Sequence, residues 1–284
     1  MSRISLIIPS VNRTKEVIRL FESLVSQTYQ DFEVILVDQN ADDRLVSICK
    51  IFSERLHIDR VHCELVSAAE ARNRGFGVSI GEIVLWPDDD SWLPPRLLQR
   101  IVEYFDSQTH ISGLIGTLID EQGYPHTRWT LKNDRDAHMV DVFTRGAEPV
   151  LFFRRNVVAT LGGFDHSLGT GAHTRWGAGE GTDLCVRALL TEHRLCVVPS
   201  LQVHHERPFL QPENAGQVEK VRGYARGMGA VLRKNRLPFY FVAAYLSTYV
   251  RAWLWSILRG RLLYVRFHWV RLVAAIDGWW SYKS

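Results

Sequence analysis

Three carboxylates in a row, Asp88-Asp89-Asp90, follow a short apolar run that ends in Trp86-Pro87. Adjacent ionised carboxylates repel one another, and a hard divalent cation bound together with phosphate oxygens removes that repulsion. Mg²⁺ or Mn²⁺ suits such a site. In an extended segment Asp88 and Asp90 project to one side and Asp89 to the other, so one of the pair can reach an ion directly and its companion through water or a ribose. The plain alternative is an Asp-rich turn capping a helix that starts near Pro94 and Pro95.

The elements that must position these residues read as a βαβ rhythm. Short β-branched runs predict strands at residues 4–8, 32–38, 61–66 and 83–86, and apolar positions at helical spacing predict helices around Val17–Val25 and Leu97–Phe105. That alternation implies an α/β fold with a mostly parallel, Rossmann-like central sheet and flanking helices. Ligands of such sheets bind beyond the carboxyl ends of the strands. There the sequence is polar: Pro9-Ser10-Val11-Asn12-Arg13, Asp38-Gln39-Asn40 and Pro87-Asp88-Asp89-Asp90. Further strands are expected at residues 113–119, 150–153 and 195–198 and a helix at 182–190, after a glycine-rich loop over 162–181. A dinucleotide fingerprint is excluded, since Gly75, Gly77 and Gly81 have the wrong spacing and follow a helical pattern.

SLIIPSVNR, VDQN, SAAEARNRG and LWPDDDSWL, in that order, resemble the nucleotide-binding half of family 2 glycosyltransferases with the GT-A fold. The resemblance spans nearly all of residues 3–206. It implies a catalytic domain over 1–206, with a nucleotide-binding half at 1–106 and an acceptor-binding half at 107–206, and an inverting transfer from a nucleotide sugar, a UDP-sugar above all. Pro9, Ser10 and Arg13 would then lie along the nucleotide, Asp38 would accept a hydrogen bond from a pyrimidine ring, and Arg72 and Asn73 would lie near the base and diphosphate. Asp88 and Asp89 belong to the same donor-binding set. Asp88 and Asp90 would hold Mn²⁺ or Mg²⁺, and a histidine after the last core strand would complete the shell; spacing from Pro199 selects His205 over His204. A solvated helix charge is the plain reading of Arg72.

The segment GGFDHSLGTGAHTRWGAGEGTDLCVRAL resembles the acceptor side of the same family, where a carboxylate opening a helix removes the proton of the attacking hydroxyl. Glu180 is the expected base with Asp183 in support, three residues apart and so on one helix face. Many relatives carry two adjacent acids; here Gly181 stands in the second place, which leaves the choice between Glu180 and Asp183 open. It also motivates a rival reading, a catalytically silent nucleotide-sugar-binding or scaffolding subunit of a membrane polysaccharide complex. Trp176 can stack on a sugar face or anchor its loop.

The 284-residue chain carries a formal charge of +3, but thirteen Lys/Arg against three Asp/Glu from Arg207 onward leave the first 206 residues at about −7. Residues 207–284 are therefore expected as a basic helical appendage on an anionic membrane surface. A helix is expected over 212–236, with Tyr224, Met228 and Leu232 on one side. Beyond Pro238 two amphipathic helices would lie in the interface, with Trp253, Trp255, Trp269, Trp279 and Trp280 at headgroup level; Arg251 breaks the first run and arginines recur through the second. Packing on the catalytic domain or in a homo-oligomer is the alternative. Nucleic acid is disfavoured, because the aromatics sit among long aliphatic runs. The separated cysteines Cys49, Cys63, Cys185 and Cys196 read as reduced thiols, and the opening MSRISLIIPS as a strand and not an export signal. The expectation is a peripheral protein on the cytoplasmic face of the plasma membrane, acting on a glycan or polyprenyl-linked acceptor.

Overall fold

The first hundred residues alternate strand and helix: β1 (Ile4–Ser10), α1 (Lys15–Val25), β2 (Phe32–Asp38), α2 (Val46–Phe52), β3 (Ile58–His62), α3 (Ala68–Val78) and β4 (Ile83–Leu85). The chain continues through β5 (Ser91–Trp92), α4 (Leu97–Ser107), β6 (Gly113–Ile119), β7 (Arg135–Asp136), α5 (Met139–Arg145), β8 (Leu151–Arg154), α6 (Arg155–Leu161), α7 (Glu180–Leu190) and β9 (Leu195–His205). Helices α8 (Ala215–Lys234), α9 (Phe239–Leu258) and α10 (Leu262–Ser281) follow. The computed structural model describes residues 3–127, 131–206 and 212–283. Within it the chain forms two compact units, Met1–Phe164 with Leu184–Arg207, and Asp165–Asp183 with Pro208–Ser284. The expected boundary after residue 206 abuts residues outside the described set.

The first unit is built on one mixed sheet in the order β3-β2-β1-β4-β8-β6-β9-β5, with β7 on β9. β3, β2, β1 and β4 run parallel; β8 is antiparallel to β4 and β6, and β6 runs parallel to β9. The parallel strands are apolar on both faces because helices cover them, as β1 and β2 show by near-complete burial. Helix α1 buries Val17, Leu20, Phe21 and Leu24, and α4 buries Leu97, Leu98, Ile101, Val102 and Phe105, in one core with the β1, β2 and β4 side chains. Helix α3 starts at Ser67, whose side chain accepts from the Glu70 amide, and lies close on the sheet through Gly75: a Cβ there would strike the side chains of Ile7 and Val37.

Three differences from expectation matter for the site. β3 is displaced to Ile58–His62 from the expected 61–66, because it pairs with β2 in a register that ends at Asp38↔His62, where β2 itself ends. β9 runs to His205, well past residue 198, by way of an irregularity opposite Ile115 and Thr117 that absorbs Pro199. β5, unforeseen, pairs Ser91 with His205 and Trp92 with His204.

In the second unit α8 does not bury the expected Tyr224–Met228–Leu232 side as a whole; Tyr224 is exposed, and the buried set is mostly small, including Ala225, Gly227, Gly229 and Ala230. Those residues let backbones touch. A Cβ on Gly229 would meet the Ala275 carbonyl of α10, and one on Gly278 the Arg226 carbonyl of α8. A small core of Ala225, Tyr249, Leu272, Ala274 and Ala275 joins α8, α9 and α10. Among the described residues no helix is long and apolar enough to cross a membrane.

Candidate active site

The parallel strands β1, β2 and β4 end on the same side, which gathers Ser10, Asp38 and the aspartate run. β5 then turns the chain back along β9, and its register sets His205 beside Asp90. His205 Nε2 lies 3.2 Å from Asp90 Oδ1 and 3.8 Å from Asp88 Oδ2. One ligand atom from each of Asp88, Asp90 and His205 lies within 4.8 Å of the others. These separations and the oxygen and imidazole donors suit neighbouring positions around a small divalent ion with bonds of about 2.1 Å. His204 faces away, stacked on Trp92 with ring centroids 5.0 Å apart.

Two arginines serve the three aspartates. Arg72 donates to Asp88 at 2.9 Å, and Arg13 pairs with Asp90 and, at 3.4 Å, with Asp89. The aspartate run is a turn and not the extended segment expected: Asp89 and Asp90 are its central residues, the Ser91 N–H donates to the Asp88 carbonyl at 3.0 Å, and Asp89 accepts from Ser10 Oγ at 2.7 Å. Burial pushes the Asp89 carboxyl up to about 7, against the pull of Arg13 and Ser10 and with added repulsion from Asp90 and Asp88. Asp90 moves the other way: burial opposes its ionisation, but His205 and Arg13 hold it well below the usual carboxylate range. For His205 burial disfavours the charged ring, and the hydrogen bond and charge of Asp90 outweigh it, so its pKa is raised.

Arg72 is buried on α3 and is no solvated helix charge. Two neighbours are held by protein partners. The Asn73 amide holds the Phe164 backbone from both sides, donating to its carbonyl at 2.8 Å and accepting from its N–H at 2.9 Å, so its contacts here brace the loop. Asp38 is fully buried, with Oδ1 accepting from the Asn40 backbone and side chain and Oδ2 from Arg60 Nε at 2.7 Å. It is enclosed by protein donors and does not present a bare carboxylate to a base. Pro9 sits one residue inside the β1 end, half-buried. Sequence reasoning missed Arg60, because β3 was placed too late, and Arg19. Arg19 donates to the Asp90 carbonyl at 2.8 Å and to Glu206 at 3.1 Å, and covers the Trp92 ring at 4.2 Å.

In the second unit Glu180 and Asp183 open α7, both buried. Gly169, at φ +98, lies so close to the Glu180 carboxylate that a Cβ would clash with it. Asp183, fully buried, receives Lys234 Nζ at 2.8 Å and Asn235 Nδ2 at 2.9 Å; Lys234 also pairs with Asp165 at 2.6 Å. Asp183 thus ties the first turn of α7 to the end of α8. Trp176 is part-buried, with its ring 5.6 Å from that of Tyr282 and Arg175 above it.

The family model "Glycosyl transferase family 2" matches residues 5–159, more than half of the chain. The chain belongs to glycosyl transferase family 2. This family 2 glycosyltransferase is 35% identical over 109 residues to an uncharacterised glycosyltransferase of Haemophilus influenzae, covering 38% of this chain and 36% of that one. It is 34% identical over 102 residues to the amylovoran biosynthesis glycosyltransferase AmsB of Erwinia amylovora, covering 34% of each. The matches therefore span about a third of the length of these curated relatives. Two solved structures share the fold at low identity. Staphylococcus aureus TarS 1–349 in complex with UDP-GlcNAc has a TM-score of 0.63 at 17% identity, over 98% of this chain and 89% of that one. The mannosyltransferase PcManGT from Pyrobaculum calidifontis in complex with GDP-Man and Mn²⁺ has a TM-score of 0.63 at 15% identity, over 99% and 88%. The fold is GT-A, with helices appended at the carboxyl end.

Proposed function

We propose that this chain is an inverting, metal-dependent glycosyltransferase that moves a sugar from a nucleotide sugar, a UDP-sugar foremost, to a hydroxyl of a glycan or polyprenyl-linked acceptor in cell-surface polysaccharide synthesis. The observation that carries this reading is the convergence of Asp88, Asp90 and His205 in a chain of this family. The UDP-GlcNAc and GDP-Man complexes of the fold neighbours, Mn²⁺ in one of them, and the amylovoran role of AmsB support it.

Asp88, Asp90 and His205 would hold Mn²⁺ or Mg²⁺, which offsets charge on the departing diphosphate. Arg13 and Arg72, already beside those aspartates, are placed to donate to diphosphate oxygens. Asp38 acts through the groups it orients, Arg60 and Asn40. Glu180 takes the proton of the acceptor hydroxyl as that oxygen bonds to the anomeric carbon; the bond from that carbon to the diphosphate breaks on the opposite face. The products are the new glycoside, a nucleoside diphosphate and protonated Glu180. Asp183, with Lys234 and Asn235 on its two oxygens, steadies this turn and leaves Glu180 as the base.

The test is release of nucleoside diphosphate across a panel of nucleotide sugars and polyprenyl-linked acceptors, with and without Mn²⁺. Release that needs Mn²⁺ and is lost in Asp90→Ala and Glu180→Gln supports the reading. Metal-independent release untouched by Asp90→Ala overturns it. Donor binding without turnover anywhere in the panel makes the chain a silent nucleotide-sugar-binding subunit instead.

A further inference from the structure

Helix α10 carries Leu262, Arg266, Trp269, Val273, Ile276 and Trp280 at alternating steps of three and four, which keeps them on one face over about 27 Å of helix. All are exposed, Leu262 at 80%, Trp269 at 50% and Trp280 at 78%. The opposite face is the one that packs, through Phe267, Ala274, Ala275 and Gly278. At the turn between α9 and α10 every residue from 257 to 264 is exposed, and the sequence there, ILRGRLLY, alternates large apolar side chains with Arg259 and Arg261. Leu254 and Trp255 near the end of α9 are exposed as well. Exposed apolar faces of this extent on a folded chain mark an interaction surface.

Charge decides the partner. No acidic residue occurs from Phe239 to Ile276, while Arg251, Arg259, Arg261 and Arg266 are all exposed. A second copy of the chain on this face would bring like charges together within an apolar seam. A bilayer with anionic headgroups accepts the apolar side chains and pairs the arginines at the same depth. We propose that the outer face of α10 and the α9–α10 turn form an interfacial docking surface for an anionic lipid bilayer. This narrows the expectation of five headgroup tryptophans to Trp255, Trp269 and Trp280. Trp253 packs on Trp269 with centroids 5.6 Å apart, and Trp279 is part-buried.

The docking face and the acceptor loop are one piece. Asp277 of α10 accepts from Arg226 of α8 at 2.8 Å and from Arg175 of the 165–183 loop at 2.5 Å, and Tyr282 just beyond α10 meets Trp176. With Glu180 as base, a consequence that rests on the catalytic reading, the acceptor hydroxyl would be taken from a lipid-linked sugar at the bilayer surface.

The experiment uses the full chain and vesicles of phosphatidylcholine with or without phosphatidylglycerol, read by co-sedimentation and tryptophan emission, and so fails independently of turnover. Binding should require phosphatidylglycerol and weaken with salt. Each arginine at an anionic surface contributes about fivefold, so Arg259→Gln/Arg261→Gln/Arg266→Gln should lose about 100-fold in partition. Trp269→Ser/Trp280→Ser should lose binding and the emission blue shift, with circular dichroism unchanged because both side chains are exposed. Equal partition onto both vesicle types, wild-type binding by both variants, or a dimer in sedimentation that the tryptophan variant abolishes overturns the proposal.

Discussion

Lys234→Met should unfold the second unit more readily and slow catalysis without touching substrate. Lys234 Nζ bridges Asp165 and Asp183, and the Asp183 side chain is fully enclosed. Removing one partner of a buried ion pair costs about 3–5 kcal/mol; Asn235 still donates to Asp183 and Lys234 is partly exposed, so about 2–4 kcal/mol is expected. Burial alone would raise the Asp165 carboxyl, but Lys234 and Ser167 hold it below the usual range. That stability is present above the ordinary carboxylate pKa and is lost as pH falls through the depressed value. The deficit of Lys234→Met should therefore narrow in acid. Urea denaturation followed by tryptophan emission reports this unit, because six of the nine tryptophans lie at positions 176, 253, 255, 269, 279 and 280. Lys234→Met/Asp183→Asn should recover much of the loss, since the fully enclosed charge is then gone and only the part-exposed Asp165 lacks its lysine. Glu180 shares the first turn of α7 with Asp183, so a loosened turn should lower kcat by up to about 100-fold with donor KM little changed. A Lys234→Met midpoint within about 0.5 kcal/mol of wild type, or a double variant no better than the single, would refute the reasoning.

His205→Ala should weaken Mn²⁺ binding by at least about 10- to 100-fold in calorimetry, the range that loss of a group merely supporting a ligand already gives. Because Asp90 raises the His205 pKa and a metal needs the neutral ring, Mn²⁺ affinity should fall as pH drops through that raised value, with proton uptake by the freed site; a flat affinity profile would contradict the ligand role. Arg13→Met should raise donor KM by at least about tenfold through loss of a charged contact, read by initial rates; an unchanged KM would remove Arg13 from the donor site. Gly227→Ala places a methyl against the Ala178 carbonyl and should destabilise the chain by about 1–3 kcal/mol in the same urea assay, whereas an unchanged midpoint would mean the α8 contact yields readily.

Much of the cluster at the strand ends was legible because its signals are local. β1, β2 and β4 announce themselves as apolar runs, and polar residues at their ends must collect where parallel strands stop. His205 was legible from its distance to Pro199, although the pairing of Ser91 with His205 that aligns it was not. Arg60 was lost when β3 was placed three residues late, a boundary error that apolar pattern cannot resolve in a strand only part-buried. Asp183–Lys234 was invisible for another reason: the partners are 51 residues apart, and neither end carries a pattern that names the other. In α8 the large apolar residues drew attention, while Gly227 and Gly229 also pack, and their contribution is a short approach and not buried side-chain area.

That glycine face has a consequence for how the molecule can change. Gly223 and Gly227 of α8 meet Gly177 and Ala178 backbone to backbone, and the Gly177 N–H donates to the Gly223 carbonyl at 3.1 Å. Main chain offers the same surface whatever side chains stand beside it. The loop that leads into Glu180 can therefore exchange outward residues such as Thr170 and His173 without losing its seat, while Arg175 stays as the tie to Asp277, and on the proposed reading a different acceptor can be met by a handful of substitutions on an unchanged frame. Transplanting acceptor preference between chains of this kind should succeed when residues 165–183 travel with α8, and fail when the loop is moved alone.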